Sequence, residues 1–199
     1  MALIGCKSEK DEPVTPSRQF GGKPYTGRLI VNIEPHQGNS TRHVGNGSLH
    51  FVDNGSISTL VLYGVIDNSE GEAGDAGFVL DGSIKDSNWK FEQQGMQFEI
   101  NKDGVVSGTN TTPTEEYTFD GNLSETKFQM EVVAKMLEET EGGYPAGSIF
   151  RYNYDFWRVD PNPGQADEEA CKNIRWELRN IWNPGGNGMM MVRVPVCND

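Results

Sequence analysis

From Pro24 onward, apolar and polar residues alternate with a period of two in short runs, each ended by Gly, Asn, Asp or Ser. Tyr25–Glu34 is the first such run, and Gly47–Asp53 and Ser58–Ile66 follow around a turn at Asp53-Asn54-Gly55. After an acidic, glycine-rich loop at Asn68–Gly77 come Phe78–Lys85, Trp89–Gln94, Gly95–Asn101, Val105–Asn110, Glu116–Ser124, Lys127–Met136 and Ser148–Val159. Asp103-Gly104 supplies a further hairpin turn. About ten strands at spacings of roughly 8–12 residues predict a mainly β protein, an antiparallel up-and-down barrel or sandwich.

An internal repeat sharpens this expectation. Residues 80–92 (LDGSIKDSNWKFE) and 119–131 (FDGNLSETKFQME) align at a constant offset of 39, with Asp81/Asp120, Gly82/Gly121 and Glu92/Glu131 identical. Each copy reads apolar, turn, apolar, which is one β-hairpin. Two copies are too few for a solenoid and suit a meander. The hairpins 78–94 and 116–136 are expected side by side, with Trp89 and Phe128 facing the same side of the sheet.

Beyond Asp160-Pro-Asn-Pro-Gly164 the pattern changes. Ala170, Cys171, Ile174, Leu178, Ile181 and Trp182 fall at helical spacing, and Asp167, Glu168 and Glu169 sit where a first helical turn favours negative charge. A short C-terminal helix is expected over Ala166–Trp182, followed by a terminal strand, Met189–Val196. The competing reading of this segment is a strand, because Ile174, Trp176 and Leu178 also alternate. The chain thus divides into residues 1–23 as a signal remnant and tether, 24–160 as the barrel, and 161–199 as an appendage packed on it.

The N-terminal segment reads as a sorting label. Leu3-Ile4-Gly5-Cys6 resembles a bacterial lipobox, in which small residues precede a cysteine that becomes acylated, and Cys6 is the expected lipidation site. The charged and apolar regions of a longer signal peptide are not seen before it, so the start reads as truncated. Residues 7–19 are charged, proline-containing and almost free of large apolar side chains, so they cannot offset their ordering entropy. Lys10-Asp11-Glu12 resembles the acidic export signal of surface lipoproteins in Bacteroidetes-type bacteria. With Cys6 assigned to a lipid, Cys171 and Cys197 are an even pair, expected to form a disulfide in an oxidising compartment or else to stay reduced and buried.

Charge then narrows the partners. The chain has 17 basic and 29 acidic residues, a net charge of −12, and no basic cluster, which argues against nucleic acid. Four Trp, nine Phe and six Tyr argue against disorder. His36, His43 and His50 read as surface histidines rather than a metal site, since no carboxylate or cysteine stands at a matching spacing. Asp67–Asp75 offers oxygen ligands but lacks the fifth and twelfth ligands of an EF-hand loop, and reads as a solvated acidic loop. No nucleophile elbow, phosphate loop or zinc-protease motif is present, and no cofactor or catalytic residue is expected.

The aromatic residues are the remaining signal. Phe150, Tyr152, Tyr154 and Phe156 share one face of Ser148–Val159, and Arg158 has the same parity. This stripe is either barrel core or one wall of a ligand cavity, facing Trp89, with Arg158 placed to meet an anionic end of the ligand. The tether, the glycine-punctuated hairpins and the repeat resemble the small calycin-like, lipocalin-like lipoproteins of Bacteroidetes-type bacteria, over residues 24–160. The first strand carries Tyr25-Thr26-Gly27-Arg28 where lipocalins have Gly-x-Trp, so the likeness is of barrel type. The resemblance implies a lipid-anchored protein of the cell envelope, at the outer membrane or cell surface, that binds a small apolar or glycan ligand. A protein-binding lipoprotein with a filled barrel, acting as inhibitor, immunity protein or adhesin, is the alternative, and a hydrolase with paired carboxylates is a second.

Overall fold

The computed structural model describes residues 20–54, 57–67, 73–159, 173–184 and 188–197. Twelve strands run in chain order as β1 (Tyr25–Glu34), β2 (Thr41–Asn54), β3 (Ile57–Asp67), β4 (Ala73–Lys85), β5 (Asn88–Gln93), β6 (Met96–Ile100), β7 (Val105–Thr111), β8 (Glu115–Leu123), β9 (Lys127–Met136), β10 (Ile149–Arg158), β11 (Ile174–Asn183) and β12 (Gly188–Cys197). From β1 to β10 each strand pairs antiparallel with the next, and β10 returns to pair with β1 over Tyr25–Glu34. The result is a closed, ten-stranded up-and-down β-barrel. Closure removes the unpaired edges that an open sheet of this size would present.

Side-chain alternation sorts the strands into inside and outside. On β9, Phe128, Met130, Val132, Ala134 and Met136 are buried while Gln129, Glu131 and Lys135 are exposed. Turn chemistry fixes the register at one end of the barrel. Asp86 and Ser87 adopt φ of 52° and 66° in the two-residue link between β4 and β5, as primed hairpin turns require. Gly104, at φ 82°, turns β6 into β7 as expected, and a Cβ there would meet the Leu123 carbonyl oxygen at 1.9 Å. We call this the hairpin end. Phe20 is buried against it, Tyr25 Oη donates to the Ser124 carbonyl at 2.7 Å, and Arg158 Nη2 donates to the Gly21 carbonyl at 2.6 Å. Phe20, assigned to the tether by its position, is therefore core.

A row of small residues crosses the inside of four strands: Gly27 pairs with Gly47, Gly47 with Gly64, and Gly64 with Ala76. The space they leave is taken by larger neighbours. A Cβ on Gly47 would stand 2.7 Å from the Phe156 ring, and one on Gly64 would stand 2.5 Å from the Leu29 side chain. Opposite, the Trp89 indole lies over Gly82 and donates Nε1–H to the Ser58 carbonyl at 3.0 Å. Trp89, Phe91, Phe98, Phe128 and Phe156 all belong to one buried cluster, so the middle of the barrel is filled. Trp89 and Phe128 do face the same interior, but the repeated hairpins are not side by side: β6 and β7 stand between them, because strand order in the barrel follows chain order.

Two other expectations are corrected. Ala73–Gly77 belong to β4 rather than to a loop, paired residue by residue with Asp67–Tyr63. Residues 174–183 form a strand instead of the expected helix, with residues 166–172 outside the described ones. β11 and β12 pair along their whole length, Ile174 with Cys197 through Asn183 with Gly188. This hairpin meets the barrel by a parallel bridge from Trp182 to Phe78 of β4 and covers the outer wall. There Ile181 and Val194 pack on Val61, Tyr63 and Val79 as a second apolar cluster, which is why β3 is apolar on both faces. Strand pairing with β12 and this apolar landing surface outweigh a helical spacing that has no partner of its own. Cys6, Cys171 and residues 68–72 also lie outside the described residues.

Candidate functional site

The filled middle directs attention to the two ends of the barrel. The hairpin end is sealed, but at the opposite, open end there is a cavity of about 190 Å³ lined by residues of β4, β7, β8, β9, β10 and β11. The strands of the far wall contribute through their inward parity, and β4 through a run of four consecutive residues at its rim, Asp75 to Phe78. Tyr117 and Phe119 line it from β8, with Glu115 of the same parity beside Tyr117 but outside the lining, Val132 from β9, and Tyr152 and Tyr154 from β10. Phe78 and Phe119 meet edge to face at 5.7 Å, Tyr117 stacks parallel to Phe119 at 6.4 Å, and both phenylalanines line the cavity. Asp75, Ala76 and Gly77 form the β4 rim, and Trp182 of the terminal hairpin stands over them.

The polar groups in this cavity are few and largely uncommitted. Asn110, at the end of β7, is 3 % exposed and lines the cavity. Its amide and the hydroxyls of Tyr152 and Tyr154 make no hydrogen bond to another described residue. None of their polar atoms is sealed from solvent, so these three can bond something that enters. Tyr117 Oη donates to the Glu115 carboxylate, and Tyr63 Oη donates to Asp75 Oδ1 at 3.1 Å. Burial pushes the Tyr152 hydroxyl up to about 12, with the Glu115 charge adding to the effect. Burial likewise raises Tyr154 and Tyr117, the latter helped by its bond to Glu115. All three phenols are neutral at physiological pH.

The stripe on β10 is thus divided by function. Tyr152 and Tyr154 reach the cavity. Phe156 is fully buried in the filled core, 5.7 Å edge-on from Tyr154 and 5.8 Å from Phe128. Phe150 packs edge-on against Tyr144 at 5.1 Å. Trp89, on β5, stands five strands from β10 around the ten, on the opposite wall as expected, but it is core and does not line the cavity. Arg158 is at the wrong end. Its guanidinium bonds the Gly21 and Glu125 carbonyls and lies over the Tyr25 ring, so it does not meet a ligand in the mouth cavity.

The sequence pattern does not single out Asn110 or Tyr117, and it places Asp75, Phe119 and Trp182 in an acidic loop, a repeated hairpin and a helix rather than in a ligand site. One signal was available: in Val105–Asn110 the inward parity of Val106 ends on a polar residue, Asn110, where a core position would be apolar. The histidines also differ from the expectation. His36 and His50 lie at opposite ends of the β1–β2 hairpin, and His50 is 6 % exposed rather than on the surface. Among the described residues no three His, Cys, Asp or Glu side chains come together as a metal site.

Three larger hollows are present besides among the described residues, one of about 320 Å³ lined mainly by polar side chains of β5, β6 and β7, and two where the terminal hairpin crosses the outer wall. The first of these two, of about 400 Å³, is lined by Thr26, Tyr63, Arg175 and Arg179, but Glu177 pairs with both arginines. The second, of about 620 Å³, is lined by His50, Thr59, Trp176 and Arg193. Each of the two holds polar atoms without a partner among the described residues, Thr26 Oγ1 and Arg179 Nε in the first and His50 Nδ1 in the second, but neither gathers as many aromatic rings as the mouth cavity. The closed antiparallel barrel is compatible with a calycin-like fold. Comparison with protein-family models, with curated proteins and with solved structures finds no match for this chain.

Proposed function

We propose that the protein is an exported, lipid-anchored barrel of calycin-like type that binds a small ligand in its open mouth. The observation that carries the binding is the 190 Å³ cavity, in which the Asn110 amide and the Tyr152 and Tyr154 hydroxyls make no hydrogen bond to another described residue and stand among aromatic walls. A cavity this size is below the range that encloses a drug-sized molecule, so it takes one ring or one head group. The filled middle leaves no path for a long acyl chain through the barrel. The anchor rests on Leu3-Ile4-Gly5-Cys6 and the charged segment after it. A lipid on Cys6 would hold the barrel at the cell envelope through a flexible segment.

Trp182 lines the cavity, so its emission reports occupancy. Titration with single-ring sugars, sterols, fatty acids and small amines should give a saturable shift for a compact ligand. That shift should weaken about tenfold or more in the pair Asn110→Leu and Tyr154→Phe, at about 1.4 kcal/mol per decade. Unchanged affinity in both variants, or no shift with any compound, overturns the reading. For the anchor, Cys6→Ser in the natural precursor should release the protein from the membrane fraction; retention there refutes it.

A second reading, binding of a protein partner, has an observation of its own. Trp176, Leu178, Trp182, Met189 and Met191 on the terminal hairpin are all exposed. Apolar surface concentrated in this way marks interaction sites on many soluble proteins.

A further inference from the structure

We infer that the ligand of the mouth cavity is a small organic cation with a head group the size of a trimethylammonium. The inference rests on the reading of that cavity as a ligand site. It adds charge and shape, which follow from three observations.

The first is the wall. Six aromatic side chains line the cavity: Phe78, Tyr117, Phe119, Tyr152, Tyr154 and Trp182. They come from four different strands of the barrel and hairpin, with Phe78 at 87° to Phe119 and Tyr117 at 15° to it. A sugar is usually held on one aromatic platform with a polar rim. Rings set at several angles around a hollow instead present several negative π-faces to one point, which suits a compact cation.

The second is the charge. Neither Lys nor Arg lines the cavity, while Asp75 does. Glu115 has the inward parity of Tyr117 and Phe119 and accepts the Tyr117 hydroxyl proton in a hydrogen bond. That bond draws electron density toward the Tyr117 ring and makes its face a better acceptor for a cation. At this end Arg151 pairs with Glu34 at 3.0 Å and Lys135 with Glu116 at 3.8 Å, while Arg42 shares the outward face of Asn32 and is exposed. No basic side chain in the lining would compensate an anionic ligand, although Asp75 also interacts with the charge of Arg179 on β11.

The third is the polar set. The phenols stay neutral at physiological pH, so they offer dipoles rather than competing anions, with Tyr152 pushed up to about 12 by burial. Asn110 and the Tyr154 hydroxyl lie deep in the cavity. They can bond a hydroxyl or carbonyl carried a few bonds from the cationic centre. A quaternary ammonium is weakly hydrated and has no N–H groups to satisfy, so a wall of rings can replace its water.

The test compares choline with its neutral isostere 3,3-dimethylbutan-1-ol on the full chain, by calorimetry and Trp182 emission. Choline should bind at least about tenfold more tightly, and its affinity should fall as salt rises. Glu115→Gln should weaken choline severalfold and leave the isostere unchanged. Tyr152→Phe should retain choline binding and Tyr152→Leu should lose about tenfold, with near-native circular dichroism required of each. Equal binding of choline and the isostere, or unchanged choline affinity in Glu115→Gln, overturns the cation assignment while the small-ligand reading stands. If choline, the isostere and the neutral ring compounds all fail to bind, the small-ligand reading falls with it.

Discussion

His50 offers a sharp physical test because its surroundings penalise one charge state. It is 6 % exposed, Trp176 covers it edge-on at 5.3 Å, and its Nδ1 has no hydrogen-bond partner. The hollow beside it is lined by Arg193, Thr59 and apolar side chains, and Asp81, across the strand pair from Thr59, already accepts the Thr59 hydroxyl at 2.6 Å. Burial pulls the imidazole pKa down to about 4. In the unfolded chain it titrates near 6.5. Because the folded value is depressed, the neutral native form is favoured above pH 6.5, and protonation of the unfolded state erodes stability as pH falls from 6.5 toward 4. Two-state linkage with these values gives a loss of about 2 kcal/mol between pH 7 and pH 5, and about 3 kcal/mol by pH 4. Urea unfolding of the wild type and of His50→Leu at pH 7, 5 and 4, followed by tryptophan emission, isolates the effect. The absolute stability of the variant is immaterial; the difference between the two proteins should shift by about 2 kcal/mol from pH 7 to pH 5, in favour of the variant at low pH. Parallel profiles would refute the reasoning, since carboxylate titrations common to both proteins cancel.

Three further outcomes are expected. Gly45→Ala places a Cβ 1.8 Å from the Val65 carbonyl oxygen, backbone that cannot swing away, and should cost about 1–3 kcal/mol or more in denaturant unfolding; an unchanged midpoint would contradict the packing described. Phe20→Ala should cost about 3–5 kcal/mol, because its ring is core at the hairpin end, and a cost below about 1 kcal/mol would return Phe20 to the tether. Peptide mapping without reductant should recover Cys171 linked to Cys197, and Cys197→Ser should lower stability by about 3 kcal/mol; free alkylation of both thiols would exclude the bond.

The barrel was legible in the sequence because strand alternation and turn residues agree locally. Gly104 and Ser87 stand where the turns need positive φ, and β1, β7 and β9 begin and end within a residue of their patterned runs. What failed was set at a distance. Ala73–Gly77 has no alternation of its own and extends only because β3 offers an edge to it. Residues 174–182 satisfy both periods, and the choice between them was made by β12 and the outer wall of β3. The site was half legible for the same reason. Tyr152 and Tyr154 announce an inward stripe, but whether a given ring is core or cavity depends on what crosses the barrel at that level. Phe156 is core because glycines on the two strands beside it, Gly27 and Gly47, open a space that its ring fills, which no single strand reveals.

β4 shares one edge between two neighbours, and this has a consequence for the order in which the protein is made. Its last residues, Ser83–Lys85, pair with β5, while Phe78 takes the bridge from Trp182. All ten barrel strands precede β11 in the chain. At about 5–20 residues per second, a ribosome delivers the complete barrel about a second or more before the hairpin that finishes its wall. During that interval Val61, Tyr63 and Val79 lack their cover, and the cavity lacks Trp182. The newborn barrel therefore passes through a stage that is closed in topology yet adhesive on one flank, and its ligand site is completed only when the hairpin arrives.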